Sequence, residues 1–368
     1  MRILIVSVTA GYGHHSTAAA LATEFKARGS EVVVIDLYEY CSTFMYNAMD
    51  KGYLFSTSHL RRSYSHTYTM LESNEKLRKL VSTITGNSLL CNKFAQYFYG
   101  FSPDAVITTH VFAAQILDEL KRRQLLSIPV VGINTDYCIQ PLWEDVRHID
   151  YIVTPSELLN FSAYSRGIPL EKILPFGLPV KPKFKNKLCK TDARRMLDIP
   201  DRKTILVMGG SMGYGNISKT VKEILSCGMD FQVICICGTN KKLKENLKKI
   251  SADKLMVYGF VNNVEVFMDA ADCIVTKPGG LTLTEILVKQ LPAILINPIP
   301  GHEERNIDFI SKNGGAIKIT DSFSVSEAIY FLFTNPERLK LMESSLALIA
   351  KPDATERICS FVESLIKE

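Results

Sequence analysis

Two histidines stand side by side in "SVTAGYGHHSTAAAL" (7–21): His14 and His15. The stretch follows an apolar β-branched run and opens a helical pattern. Gly11 and Gly13 therefore read as a tight turn whose backbone N–H groups gather at a helix N-terminus. A histidine on such a turn lies at the carboxyl edge of a sheet, faces a cleft and titrates near neutral pH, which suits a general base. The same position also suits a residue that merely caps or packs the helix. Adjacent helical residues face different ways, so at most one of the pair addresses a given substrate and the other is structural. A dinucleotide-binding turn would need glycine where Ser16 stands. Asp36, at the end of the second strand, reads as a strand end rather than a ribose ligand.

Two further glycine turns lie in the second half. In "MGGSMGYG" (208–215), the N–H groups of Ser211, Met212 and Gly213 are placed to hold a phosphate, but the G-K-[ST] ending of a P-loop is missing. In "KPGGLTLTE" (277–285), Gly279 and Gly280 precede a helix that has Thr282 near its start and Glu285 about one turn in. Two anion-friendly helix N-termini and a carboxylate suit a diphosphate and a ribose diol. A capped helix with a solvated glutamate is the alternative.

The elements that must position these groups alternate along the chain. "RILIVSV", "EVVVID", "DAVITTH", "IPVVGIN" and "DYIVTP" are short runs apolar on both faces, separated by helical patterns, as in a helix-covered parallel sheet. The pattern breaks at "GLPVKPKFKNK" (177–187) and resumes with "TILVMGG", "QVICICG", "KLMVYGF", "DCIVTKPGG" and "PAILINPIP". At 368 residues the chain exceeds one ordinary core. The expected class is α/β, with two Rossmann-like parallel-sheet domains, 1–180 and 181–368, facing a central cleft.

Composition narrows the function. A net charge of +5 favours anionic surfaces or substrates and falls short of a nucleic-acid binder. Nine scattered cysteines, with no metal-type pairing, fit a reducing cytosol. "MRILIVSV" reads as a buried strand rather than a signal peptide, and no apolar run approaches a membrane span, so any membrane contact is expected to be peripheral. Residues 40–100 interleave Phe44, Tyr46, Tyr53, Phe55, Tyr64 and Tyr68 with Lys51, Arg61, Arg62, Lys76, Arg78 and Lys79. They are either helices packing aromatics into the first core or a surface for anionic lipid headgroups.

In this order and spacing, "GYGHHSTA", "TDYCIQPLW", "GGSMG", "KPGGLTLTE" and "PIPGHEERN" resemble the processive diacylglycerol β-glucosyltransferases and plant monogalactosyldiacylglycerol synthases of glycosyltransferase family 28. That group sits within a larger set that includes the peptidoglycan N-acetylglucosaminyltransferase. The resemblance covers nearly the whole chain. It implies a GT-B fold, with an acceptor and membrane-facing domain over 1–180, a UDP-sugar domain over 181–368, and the last helix packing back on the first domain. It implies an inverting transferase that moves a hexose, glucose before galactose, from a UDP-sugar to diacylglycerol or glycosylated diacylglycerol. The enzyme would be cytoplasmic, peripheral on the inner face of the cell membrane, and bound to an anionic surface with no nucleic acid.

By the same carry-over, His14 is the base, Asp136 supports the acceptor, and Gly11 and Gly13 shape the turn. Gly210 and Ser211 bind phosphate, Gly259, Phe260 and Val261 frame uracil, and Glu285 holds the ribose. Gly279, Gly280 and Thr282 shape the diphosphate pocket, while His302, Glu303 and Asn306 line the sugar. The lack of a D-x-D pair implies no metal and no cofactor beyond the co-substrate. Two positions depart from the family pattern: Gln140 replaces a common histidine, and His302 replaces the glutamine of "PGQE". Two other functions compete: N-acetylglucosamine transfer to a lipid-linked peptidoglycan precursor, and a UDP-sugar-binding membrane regulator that transfers nothing.

Overall fold

The computed structural model describes residues 1–9, 12–41, 61–85, 94–95, 97–98, 100–213, 215–250 and 252–367. Gly11, Phe44, Tyr46, Lys51, Tyr53 and Phe55 lie outside the described residues, as do the side chains of Arg61, Arg62 and Tyr64. The chain divides into two compact units. The first comprises Met1–Lys181, Ile299–His302 and Lys351–Glu368, and the second Pro182–Pro298 and Glu303–Ala350.

The first unit is built on a parallel sheet of β1 (Arg2–Ser7), β2 (Glu31–Asp36), β3 (Ala105–Thr108), β4 (Val130–Ile133), β5 (Tyr151–Val153) and β6 (Ile173–Leu174). The spatial order is β2-β1-β3-β4-β5-β6. Ile3 to Val6 and Val106 to Ile107 are fully buried, because helices cover both faces, and this is why these strands read as unbroken apolar runs. The chain leaves β1 for β2 on one side and returns to β3 on the other, with Val6 opposite Thr108. A switch of direction of this kind opens a crevice beyond the carboxyl ends of the two strands. His14 follows β1 and His110 follows β3, so both lie at that switch point.

The helix Ala354–Lys367 belongs to this unit and is anchored by matched chemistry. Arg28 reaches Ser360 Oγ at 2.9 Å and Glu363 at 3.4 Å, Thr355 Oγ1 donates to Val180 O at 3.1 Å, and Phe361 meets the Tyr151 ring edge-on at 4.9 Å. The chain's single tryptophan, Trp143, lies on Gly132 of β4, where a Cβ would come within 2.8 Å of the indole. Only glycine leaves room for that ring, and the ring in turn fixes the loop that carries Asp136 and Gln140.

The second unit repeats the plan with β7 (Thr204–Met208), β8 (Gln232–Ile236), β9 (Leu255–Tyr258), β10 (Cys273–Thr276), β11 (Ala293–Leu295) and β12 (Ala316–Lys318), all parallel. Its order is β12-β11-β10-β7-β8-β9, so its switch point falls between β7 and β10. The turns "GGSMG" and "KPGG" leave these two neighbouring strands, whose last residues, Met208 and Thr276, are in register. A fully buried ion pair, Lys289 Nζ to Asp269 Oδ2 at 2.7 Å, joins the helices Val264–Ala270 and Gly280–Lys289.

Candidate functional site

In the first unit the helix Tyr12–Ala27 starts just beyond β1 and presents His14 and His15 to different surroundings. The half-buried His14 donates from Nδ1 to Thr109 O at 2.7 Å, with Thr135 Oγ1 also near that nitrogen at 3.3 Å. A carbonyl only accepts, so Nδ1 carries the proton and Nε2 keeps its lone pair. Burial lowers the His14 pKa, against the opposing pull of the Thr109 carbonyl and the Asp136 charge. The imidazole is therefore neutral at pH 7, with one basic nitrogen and a fixed tautomer. That is the chemistry of a general base.

His15 has a different task. Thr9 Oγ1 donates its one proton to Asp36 Oδ2 at 2.8 Å, so it accepts from His15 Nε2, also at 2.8 Å. His15 Nε2 also lies 3.3 Å from the Asp36 carboxylate. Burial opposes ionisation of Asp36, yet hydrogen bonds from His15, the Glu39 N–H and Thr9 outweigh it and hold the carboxyl down at about 2. Asp36 thus ends β2 as a partner of His15 and, with Thr9, ties the first turn of the helix Tyr12–Ala27 to the sheet.

Sequence reasoning missed His110. It caps the helix Val111–Arg122, its Nδ1 accepting the Phe112 N–H at 3.1 Å, and its ring stands edge-on to His14 at 4.6 Å. Burial first, and His14 next, push its pKa well below the usual histidine range, so it stays neutral beside the base. The available signal was its place directly after an apolar strand. Asp136 is buried and accepts from Gln140 Nε2 at 2.5 Å. Gln140, standing where the resemblance led one to expect histidine, therefore orients Asp136. Asn134 donates to the carbonyls of Asp136 and Cys138 at 2.9 Å and closes the same loop.

His302 also belongs to the first unit, 6.3 Å from the Tyr68 ring and close enough to lower the His14 pKa slightly. Among the basic residues of the 61–85 segment, Arg78 does not face solvent, because it is paired with Glu144 at 2.8 Å and donates to the carbonyls of Leu71 and Glu72. Lys76, Lys79, Met70 and Leu80 are exposed. Among the described residues no helix is long and apolar enough to cross a membrane, and no cluster of three His, Cys, Asp or Glu could hold a metal ion.

In the second unit the β7 turn is built by Gly210, with φ of +71°, and closed by the Gly213 N–H donating to Gly210 O at 3.1 Å. That N–H, which the sequence reading offered to a phosphate, donates within the turn itself. Ser211 O accepts the Thr239 N–H at 2.8 Å, and Gly238, at φ +57°, packs so tightly that a Cβ would stand 2.0 Å from Ser211 O. Gly238→Ala is therefore expected to push the turn aside. Thermal unfolding should show a lower midpoint, since the left-handed backbone alone costs an alanine roughly 1–2 kcal/mol. An unchanged midpoint would show that the turn accommodates the added methyl group.

The β10 turn leads into the helix Gly280–Lys289, whose N-cap is Gly279, with no side-chain cap on the first N–H groups. Thr282 and Glu285 are half-buried on its first turns. Asn306 is fully buried and donates from Nδ2 to Pro278 O at 3.0 Å, bracing this turn. Glu303 is buried and ion-paired with Lys277, a lysine the sequence reading passed over. After β9, Gly259 and Val261 are half-buried and Phe260 is 55% exposed, with Lys244 Nζ near the position a Gly259 Cβ would take.

Two parallel Rossmann-type units, each with its polar turns at a switch point, are the architecture of GT-B glycosyltransferases. The structure is similar over 99% of both chains to Acinetobacter baumannii MurG, with a TM-score of 0.64 and 16% identity. It is also similar to a putative UDP-N-acetylglucosamine 2-epimerase from Listeria monocytogenes, with a TM-score of 0.66 and 12% identity, over 99% of this chain and 96% of that one. Residues 14–180 match the monogalactosyldiacylglycerol (MGDG) synthase family and residues 204–358 the glycosyltransferase family 28 C-terminal domain. The first part of the chain thus belongs with the MGDG synthases and the second with the glycosyltransferase family 28 C-terminal domains. It is 27% identical to a processive diacylglycerol beta-glucosyltransferase of Bacillus thuringiensis (strain Al Hakam), over 100% of this chain and 94% of that protein.

Proposed function

We propose that this glycosyltransferase moves glucose from UDP-glucose to the hydroxyl of diacylglycerol, with inversion, at the inner face of the cell membrane. The observation that carries the reading is His14: a neutral imidazole at the switch point of the first sheet, its Nδ1 proton committed to Thr109 O, in a chain that aligns end to end with a diacylglycerol glucosyltransferase. The acceptor oxygen attacks the anomeric carbon as His14 Nε2 takes its proton. The bond from that carbon to the phosphate oxygen breaks, and its electron pair leaves with UDP. Asp136, oriented by Gln140, favours the imidazolium that results. On the donor side Gly210 and Ser211, with Gly279, Gly280 and Thr282, receive the diphosphate, Glu285 the ribose, and Gly259 to Val261 the uracil. His302, Glu303 and Asn306 bound the sugar region.

Exposed Met70 and Leu80 beside Lys76 and Lys79 support docking on anionic headgroups through the helices Arg61–Ser73 and Glu75–Thr85. No metal or cofactor enters the proposal. The test is turnover on liposomes containing diacylglycerol and anionic lipid, supplied with UDP-glucose, UDP-galactose and UDP-N-acetylglucosamine together. Glucosyl-diacylglycerol and UDP are the expected products, in amounts that EDTA leaves unchanged. Transfer of N-acetylglucosamine to a lipid-linked precursor would overturn the acceptor and donor, and binding without UDP release would leave a non-catalytic protein.

A further inference from the structure

The strand order of the second sheet brings Lys277 to a place its sequence context does not announce. It is the first residue after β10, and its side chain runs across the neighbouring turn that leaves β7. Its Cε lies 3.2 Å from where a Gly210 Cβ would be, and its Nζ lies 3.3 Å from where a Gly279 Cβ would be. Any side chain at either glycine would meet the lysine. The ammonium is held there by Glu303, 2% exposed at its side chain and carried on the next helix, His302–Lys312. Lys277 itself remains 20% exposed. One full positive charge is thus fixed beside the two glycine turns that the proposed donor site assigns to phosphate.

We infer that Lys277 is the cation that binds the diphosphate of the nucleotide donor, and that Glu303 is the carboxylate that positions it. This rests on the donor reading above and adds to it the group that meets the charge. Backbone N–H groups at a helix start carry partial charges, whereas an ammonium is a compact full charge with three donors. An anion of two or more charges gains most from the second. When the glycosyl bond breaks, negative charge accumulates on the β-phosphate, so an ammonium fixed at that point binds leaving UDP more strongly than the bound UDP-sugar. Glu303 then has a task besides bounding the sugar region. Its Oε1 keeps the lysine stem extended over Gly210, so that the ordering of a long side chain precedes ligand binding.

The test compares ligands that differ only in the phosphates. Binding of UDP and of uridine is measured by calorimetry on the full chain and on Lys277→Met, Lys277→Arg and Glu303→Gln, with thermal unfolding recorded for each. Lys277→Met is expected to weaken UDP by about ten- to a hundredfold and to leave uridine unchanged, the usual worth of a hydrogen bond to a charged group. Lys277→Arg, which keeps the charge, is expected to recover most of the loss. Glu303→Gln keeps an oxygen that accepts from the ammonium, so the lysine stays placed while its counter-charge is removed, and the variant is expected to bind UDP at least as tightly as the unchanged chain, even where its turnover falls.

A merely structural Lys277–Glu303 pair predicts the opposite pattern: lower melting temperature and equal loss of both ligands in Lys277→Met and Glu303→Gln alike. That result overturns the inference, as does UDP affinity that Lys277→Met does not change. If Lys277→Met fails to fold, Lys277→Arg and Glu303→Gln decide the question, because weaker UDP binding in Glu303→Gln sinks the assignment by itself. Failure of the donor reading is distinguishable, since the unchanged chain would then bind neither ligand. Tight UDP binding without sugar transfer would remove the proposed reaction and keep the role of Lys277.

Discussion

His14→Ala is expected to lower turnover by about two to four orders of magnitude, the usual contribution of a positioned general base, while UDP binding stays as it is in the unchanged chain. The separation matters because His14 lies in the first unit and the turns proposed to hold the nucleotide lie in the second. His14→Ala with normal turnover would remove the base assignment. A second readout comes from pH. A pKa lowered by burial keeps the imidazole neutral until the pH falls below the ordinary histidine value of 6.5. The acidic limb of kcat/KM is therefore expected below pH 6.5, with a plateau through neutrality. A limb above that value would mean that Asp136 or the Thr109 carbonyl outweighs burial and that His14 rests as imidazolium. His15→Ala is expected to act differently, removing the contacts to Thr9 and Asp36 without shifting the limb.

Lys289→Met carries the largest expected effect on stability. Both partners of Lys289–Asp269 have side chains 1% exposed, and Asp269 is further tied to the Leu188 N–H at 3.2 Å, while Lys289 donates to Asn186 O at 2.6 Å. Removing the lysine leaves a buried carboxylate whose pKa burial already raises despite the Lys289 contact. Breaking such a pair costs about 3–5 kcal/mol, because the remaining charge is neither solvated nor paired. Urea unfolding followed by circular dichroism should show the loss as a lower midpoint. The double variant Lys289→Met with Asp269→Leu is expected to recover most of it, since an apolar pair of similar volume needs no solvation. No recovery would show that the backbone contacts at Asn186 and Leu188, rather than the stranded charge, set the cost.

The helix Gly280–Lys289 connects these two expectations to the sequence. Its start was legible: two glycines after an apolar strand predict a turn into a helix, because glycine both breaks a strand and tolerates a bare N-cap. Lys289, nine residues later, had no such signal. A lysine is ordinarily solvated, and its burial depends on Asp269, which reaches it only once the helices Val264–Ala270 and Gly280–Lys289 pack together. The same holds for His110. A histidine after "DAVITT" is unremarkable until β3 pairs with β1 and sets its ring on His14.

The sequence by itself determined what local chemistry can encode. Runs apolar on both faces become buried parallel strands, glycine clusters become the turns that leave them, and the interruption near 177–187 separates two sheets. The motif residues from His14 to Asn306, read in order, were enough to place the chain in a glycosyltransferase family. Only the tertiary structure decided which of these residues act together. Strand order put "GGSMG" beside "KPGG" and His14 beside His110. Close approach made Gly238 and Gly132 indispensable, and burial turned Asp36 toward His15 and Glu303 toward Lys277. Backbone pattern follows from each residue and its near neighbours, whereas partners across a sheet are chosen by packing, which joins positions tens to hundreds of residues apart and leaves no mark in the intervening sequence.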